Sequence, residues 1–349
     1  MSIESFIGAM PKVEIGLRLE GAIHTDTLKL IAEQNDVPYQ FKHYAQWVRQ
    51  FEQPDFGKLD ELFATVSQWL QQPEDLSRVV YELGVSLAKQ NVRYAEIGIN
   101  PLLYIGNHMT FEQLLSAVND GRSRVERGWN VQLNWILNIS RDQHQKAEDI
   151  VRWATSSAAR KGGVVGLGVV GNDNVPSANL FERSLHTAQK KDTPCLVEMF
   201  KLADTIEDVL ETVIPTRLVI GPQPLDDESG IKLLVDKSVP VQACIAYAIR
   251  TGQVSQYSNY PLRQLYDDGL LLTVGTIMPG LLGTNLTLEY LEMAKQGGFS
   301  VGEVFEFNLN AVRMSFASDD VKASLLAEFD AVLAELTEEH SVNKDSVLS

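Results

Sequence analysis

Cysteine is almost absent from this chain of 349 residues, which contains only Cys195 and Cys244. Two cysteines so far apart exclude a disulfide framework and a cysteine-rich structural metal site, so both are predicted to be reduced thiols in the core. The six histidines are no more suggestive, because none lies near another at a spacing that would hold one metal ion. No acidic cluster is dense enough for magnesium. From spacing alone we expect neither a metal nor a cofactor.

Basic residues and long apolar runs are also scarce. Lysine and arginine number 30 against 46 aspartates and glutamates, which gives a net charge of −16. This balance argues against nucleic acid and anionic membranes as partners, since both require a basic face. No run approaches the roughly 20 apolar residues of a membrane span, and the first twelve residues lack the pattern of a targeting peptide. We therefore expect a cytoplasmic protein.

The chain does contain a regular alternation of strand-like and helical patterns. Hydrophobic residues make up 44% of it, which is typical of a globular protein. Eight nearly continuous apolar runs are predicted as strands, at residues 13–19, 92–100, 131–140, 164–170, 194–200, 217–221, 240–246 and 270–275. Eight such units predict an α/β fold of the (β/α)8 TIM barrel type. We expect one domain over residues 1–336, with a helical insertion at 25–90 and a flexible tail at 337–349.

The first predicted strand has an unusual charge pattern. Glu14, Arg18 and Glu20 occupy alternate positions and so share one face of an extended strand, with Gly16 between them. In a barrel of this type the site is formed at the carboxyl ends of the strands. Arg18 and Glu20 are therefore candidate site residues. A solvated ion pair at a strand end is the alternative interpretation.

Four long segments resemble motifs of a known family. They are PKVEIGLRLEGAI, VVGLGVVGNDN, RLVIGPQPLDD and YPLRQLYDDGLLLTVGTIMPGLLGTNLTLEY. In this order they are similar to motifs of the adenosine deaminase family, in the amidohydrolase superfamily, and the resemblance covers nearly all of residues 11–320. It implies a barrel of the metal-dependent hydrolase type. It also implies a zinc-activated water and a carboxylate that moves protons.

The resemblance places the zinc ligands and the acid–base residues of that family on side chains that cannot replace them. These positions are Gly16, Arg18, Val197, Phe200, Ile220, Ile277 and Met278. Zinc needs about three protein ligands and an open position, and Gly16, Val197 and Ile277 offer no donor atom. Arg18 adds a permanent positive charge where the cation would lie. The resemblance therefore predicts a divergent member that has lost the zinc site and the catalytic residues.

A binding site at the barrel mouth is still compatible with the resemblance. Glu20 falls on the aspartate that contacts the ribose, and Gly171 falls on the glycine whose backbone contacts the purine. The predicted ligand-binding residues are Arg18, Glu20, Gly171, Phe200, Ile220, Ile277 and Met278. Catalytic residues stay unassigned, with Arg18, Glu20 and Glu198 as candidates. Arg18 could bind a ligand carboxylate or phosphate, or it could simply pair with Glu198 in the position of the metal.

Three functional hypotheses follow from these residues. The loss of metal ligands and acid–base groups together favours a pseudoenzyme that binds a small nucleoside-like or anionic ligand or a protein partner. The alternative is a metal-independent enzyme with repurposed chemistry on a heterocyclic or nucleoside-like substrate, using Arg18 and nearby carboxylates. A third possibility is a scaffold that pairs with an active homologue, which leaves a homo-oligomer or a hetero-oligomer open.

Overall fold

Eight parallel strands form the centre of the molecule. The computed structural model describes residues 2–106, 109–171, 177–200 and 204–339. The strands are β1 (Lys12–Arg18), β2 (Val92–Ile99), β3 (Gln132–Ser140), β4 (Val164–Val170), β5 (Cys195–Met199), β6 (Arg217–Ile220), β7 (Val241–Ala243) and β8 (Leu272–Val274). Each strand pairs with the next one in sequence. This order, with helices in the connections, is the predicted (β/α)8 TIM barrel fold.

Helices connect and surround these strands. In chain order they are α1 (Ile3–Ala9), α2 (Leu19–Ala22), α3 (Thr25–Gln34), α4 (Val37–Gln40), α5 (Tyr44–Glu52), α6 (Leu59–Trp69), α7 (Pro73–Lys89), α8 (Phe111–Trp129), α9 (Ala147–Ala154), α10 (Ser157–Lys161), α11 (Glu182–Gln189), α12 (Ile206–Thr212), α13 (Glu228–Asp236), α14 (Ile245–Arg250), α15 (Leu262–Asp267), α16 (Pro279–Leu282), α17 (Leu286–Gln296), α18 (Val301–Met314) and α19 (Asp319–Glu339). They cover strands that are buried almost throughout, as expected for a parallel sheet.

The residues 25–90, predicted as a helical insertion, contain five helices, α3 to α7. The last of these packs along α8. The predicted tail begins inside α19, which runs to Glu339, and residues 340–349 lie outside the described residues. The division of the chain into domain, insertion and tail stays a prediction.

Two of the composition-based expectations concern thiols and membranes. Both Cys195 and Cys244 are buried free thiols, as predicted. None of the helices in the described part of the chain is long and apolar enough to cross a membrane. The cytoplasmic location stays a prediction.

The first and last strands are joined by isolated hydrogen bonds. The N–H of Arg18 donates to the carbonyl of Ile277 over 2.7 Å. The Glu14 carboxylate accepts hydrogen bonds from the N–H and the hydroxyl of Thr276, at 3.0 and 3.2 Å. These contacts bring the carboxyl end of β1 beside the segment that follows β8. The chain thereby closes around a common end, where the candidate site residues lie.

Gly16 is the point at which β1 bends. Its φ is +78°, and the pairing of β1 with β2 shifts register between Glu14 and Leu17, as in a β-bulge. A Cβ atom at this position would lie 2.5 Å from the side-chain oxygen of Gln242 on β7. Both the backbone conformation and the available space therefore require glycine here. The amide of Gln242 occupies the barrel interior next to Gly16.

The amino end of the barrel is closed by a buried ion pair. Arg217 on β6 donates to Glu96 on β2 over 2.8 Å, and both side chains have no exposed surface. The guanidinium also donates to the Met314 carbonyl over 2.9 Å and lies 4.4 Å from the ring centre of Phe316. These partners compensate the buried charge of Arg217, and together the side chains fill the amino end of the barrel.

Candidate active site

A forked ion pair joins the ends of β1 and β5. The Arg18 Nε donates to Glu198 Oε1 over 2.9 Å, and its Nη2 contacts Oε2. Only 7% and 2% of the two side chains are exposed. The N–H of Gly171, directly after β4, donates to Glu198 Oε2 over 3.3 Å. The pair that the sequence allowed as an alternative is therefore present, and it brings three predicted site residues together.

A second arginine, Arg141, reaches Glu198 from the other side. It follows β3 directly, and its Nη2 donates to the backbone carbonyl of Glu198 over 2.9 Å. Its Nη1 bonds Asp204 over 3.0 Å. Although burial opposes this, hydrogen bonds from Ser177, Ala178 and Arg141 lower the pKa of Asp204. Arg141 was not among the predicted site residues. The strand-end rule that selected Arg18 also selects Arg141, because it directly follows a predicted strand, but no role was assigned to it.

Glu20 is a buried carboxyl group at the same end of the barrel. It is the second residue of α2, which follows β1 directly, and is 3% exposed. The hydroxyl of Tyr104, which follows β2, donates to Glu20 Oε1 over 3.1 Å. Burial raises the pKa of Glu20 to about 7, while the hydrogen bonds and the Arg18 charge oppose the rise. Glu20 can therefore hold and release a proton near neutrality. Tyr104 carries no charge or motif that would have marked it in the sequence.

Three aromatic rings contact one another at this end of the barrel, one from the segment after β5, one from α14 and one from the segment after α5. The rings of Phe200 and Tyr247 lie 4.5 Å apart, and Tyr247 meets Phe56 edge-on at 5.9 Å. Phe200 was a predicted ligand-binding residue, and Phe56 and Tyr247 were not. These three residues, called the aromatic wall below, come from distant parts of the chain. Rings arranged in this way provide a surface for a flat heterocycle.

The other predicted apolar residues are packed more deeply. Ile220, Ile277 and Met278 are 0%, 0% and 1% exposed. Met278 fills the space beside Gly21, where a Cβ atom would lie 2.4 Å from its Cγ. Ile277 has a φ of +55°, a conformation that a β-branched residue rarely adopts. These side chains form the floor of the barrel end, and their role in ligand binding stays a prediction.

Acidic side chains form the outer rim of this end. Asp60 at the start of α6 and Asp142 after β3 are both exposed. Partial desolvation of this otherwise exposed side chain and the charge of Asp142 raise the pKa of Asp60, whereas the charge of Arg18 opposes this rise. Because the charges of Asp142 and Arg18 both act on Asp60, its carboxyl group lies near the strand ends. A negative rim on a strongly negative protein favours neutral or cationic ligands over anionic ones.

The zinc ion that the resemblance implies does not fit these residues. Gly16, Val197 and Ile277 offer no donor side chain, and Gln242 fills the space beside Gly16. Arg18, at the other zinc-ligand position on β1, carries a guanidinium that is paired with Glu198. Within the described ranges, no group of three or more histidine, cysteine, aspartate or glutamate side chains could hold a metal ion.

Comparisons with known proteins show which family this barrel represents. The model of the adenosine deaminase family matches residues 11–332. The chain belongs to the adenosine deaminase family. It is 26% identical over 326 residues to an adenosine deaminase from Clostridium botulinum, covering 90% of this chain and 96% of that protein. It is also 26% identical over 340 residues to an aminodeoxyfutalosine deaminase from Streptomyces avermitilis, covering 95% and 94%.

Solved structures agree with this assignment at the level of the fold. The crystal structure of adenine deaminase from Arthrobacter aurescens matches with a TM-score of 0.83 and 22% sequence identity. The match covers 93% of this chain and 100% of that one. Together with the family model, it confirms both the predicted family and the predicted (β/α)8 barrel.

The prediction of a pseudoenzyme is wrong. Relatives that match along at least 90% of the chain are named as deaminases, which points to a deaminase enzyme. The same names favour deamination over the alternative of a repurposed reaction. The error was to prefer a non-catalytic role because the family's metal ligands and acid–base groups are replaced together. A carboxyl group with a pKa of about 7, Glu20, lies at the strand ends.

Proposed function

We propose that this protein is a deaminase that releases ammonia from an amino-substituted purine compound. The observation that carries the proposal is the buried carboxyl group of Glu20, which lies at the strand ends and accepts a hydrogen bond from Tyr104. The names of the relatives support the reaction class, since adenosine and adenine both carry an amino group on a purine ring. The small molecule binds at the barrel end formed by the strand termini.

The proposed reaction is a hydrolysis, so it needs water and no redox partner. Water adds to the ring carbon that bears the amino group and forms a C–O bond. The C–N bond then breaks, and the amino group leaves as ammonia. Ionised Glu20 accepts a proton from the attacking water and returns it to the departing nitrogen. A pKa of about 7 suits both transfers, because acid and base forms are then present together.

Arg18 and Glu198 act as positioning residues in this proposal. The charge of Arg18 lowers the pKa of Glu20 and so limits the rise that burial causes. Glu198 fixes the guanidinium and also accepts the N–H of Gly171. No step passes through a metal ion, because the side chains at the family's zinc positions do not fit one.

The surroundings of the site favour a neutral substrate. The aromatic wall offers stacking for a purine ring, and the acidic rim repels a phosphate. We therefore propose a free base or a nucleoside in preference to a nucleotide. The cytoplasmic location stays an expectation from the sequence, and a homo-oligomer and a hetero-oligomer both stay open.

The experiment measures ammonia release from adenine, adenosine and AMP by purified protein of known metal content. Assays run with a chelator and, separately, with added zinc. Replacing Glu20 by glutamine should lower kcat about 10²- to 10⁴-fold. Glu14→Gln is the matched control, since Glu14 is also buried, lies on β1, which directly precedes α2, and has a pKa raised to about 8. Folding of each variant is checked by circular dichroism.

Three results would contradict the proposal. One is the absence of ammonia release from all three compounds by folded protein, with and without zinc. Another is full activity in Glu20→Gln. The third is an activity that appears only with added zinc and is lost with the chelator. A preference for AMP over adenosine would contradict the proposed substrate form alone.

A further inference from the structure

A second cleft lies on the outer side of the segments that follow β7 and β8. It is bounded by α14, α16 and α17, and its volume is about 340 Å³. Ala246 and Ile249 of α14 line it, whereas Tyr247 of the same helix belongs to the aromatic wall. The cleft is therefore separate from the strand-end site, although it shares a helix with it. Its volume is within the range of small-molecule sites.

Tyr257 brings a buried hydroxyl group without a partner to this cleft. The residue lines the cleft and is 5% exposed. Its hydroxyl group forms no hydrogen bond. A buried hydroxyl without a partner costs stability, so nearly all such groups in folded proteins have one. The missing partner of Tyr257 points to a bound molecule that supplies it.

Glu289 provides a carboxyl group in the same cleft. It is 3% exposed and accepts a hydrogen bond of 2.7 Å from the hydroxyl of Thr284. The charges of Glu289 and Glu292 both act on Tyr257 and, after burial, help to raise its pKa. The phenol therefore lies near these two acids. Tyr257 and Glu289 both line this open cleft and together offer acceptor atoms there.

The remaining lining determines what kind of molecule fits. Ile249 and Leu282 provide an apolar surface, and Glu292 adds a second negative charge. An ammonium group supplies N–H donors and the opposite charge, and a short hydrocarbon chain matches the apolar surface. We propose that this cleft binds a small primary amine in its ammonium form, between Tyr257 and Glu289. This inference does not depend on the proposed deaminase function.

The test is a calorimetric titration of the full chain with butylammonium chloride at pH 8 and constant ionic strength. Butanol and sodium butyrate are the matched probes, since they keep the chain length and change the head group. Butylammonium should bind, and the other two should not. Arg250, which also lines the cleft, is the group that would favour butyrate. Binding of butyrate or butanol at least as tight as that of butylammonium would overturn the proposal.

Two variants locate the binding site. Glu289→Gln should weaken butylammonium binding at least about tenfold, and Tyr257→Phe about threefold or more. Without ligand, Tyr257→Phe should keep or raise the Tm, because it removes a hydroxyl that bonds nothing in the protein. Tyr266→Phe is the control, since that hydroxyl bonds Glu306 elsewhere in the chain. Unchanged affinity in both variants, or a lowered Tm for Tyr257→Phe, would show that the cleft has no such role.

Discussion

Breaking the Arg18–Glu198 ion pair should destabilise the protein strongly. The perturbation is a double-mutant cycle of Arg18→Met, Glu198→Gln and the double variant. Arg18→Met removes both N–H to oxygen contacts between these nearly buried groups, and Glu198→Gln removes the negative charge and one of the two acceptor oxygens. A hydrogen bond to a charged group contributes about 1.5–3 kcal/mol, and removing one partner of a buried pair costs about 3–5 kcal/mol. We expect each single variant to lose about 3 kcal/mol of unfolding free energy.

The double variant should lose much less than the sum of the two single losses. In the double variant both charged groups are gone, so no buried charge is left without its partner. The interaction energy between the two positions should therefore be about 2–3 kcal/mol. Gly171 contributes to the cost in Glu198→Gln, because its N–H donates to one of the carboxylate oxygens. Because glutamine keeps an oxygen acceptor, the loss of unfolding free energy in Glu198→Gln should lie at the lower end of the range of about 3–5 kcal/mol.

The assay is equilibrium unfolding in urea at pH 7, followed by tryptophan fluorescence. Urea is preferred to guanidinium chloride because it does not screen charges. The control is Arg152→Met, which removes an exposed pair with Asp149 and should have little effect. A loss below about 1 kcal/mol in both single variants would refute the reasoning, as would strict additivity in the double variant.

Two further predictions concern the interior of β1. Gly16→Ala should cost about 1–3 kcal/mol in urea unfolding, because its Cβ would meet Gln242 at a positive φ. Gly252→Ala, with a φ of +73° and no atom within 4 Å, should cost less, and equal costs would contradict a role for Gln242. Burial raises the pKa of Glu14 from 4.5 to about 8, so the neutral form is favoured in the folded chain. Its contribution is fully present below about pH 4.5 and is lost as the pH rises to about 8, by up to about 4 kcal/mol. Glu14→Gln should flatten this slope between pH 5 and 8, and an unchanged slope would contradict the assignment.

The fold was predictable because each unit repeats the same local signal. Apolar runs of strand length, separated by helical patterns, identified all eight strands in order. The ends of the last strands were less well predicted. The run at 240–246 was predicted as a strand, but β7 ends at Ala243 and α14 begins at Ile245. An apolar stretch that continues from a strand into a buried helix has no periodicity that separates the two.

The site was predictable only where its residues directly follow a strand. This rule selected Arg18, Glu198 and Gly171, which meet in one hydrogen-bonded group. The same rule selected Tyr247, but it could not identify Tyr104, which comes from a connection whose path depends on tertiary packing. Nor could it show that Ile220 and Ile277 are packed floor residues. The depth of a side chain depends on contacts with distant segments, which the sequence of one strand does not contain.

The missing zinc ligands allowed a conclusion about one chemical step only. They exclude a metal held at Gly16, Arg18 and Val197, because these residues offer no suitable donor. They do not exclude proton transfer, which needs a carboxyl group whose pKa is near the working pH. Burial in α2 gives Glu20 this property, and the nearby charge of Arg18 keeps its pKa from rising further. The arginine that prevents metal binding thus helps to tune the acid–base group. In the proposed reaction, the arginine at a zinc-ligand position of the family therefore adjusts the proton affinity of Glu20.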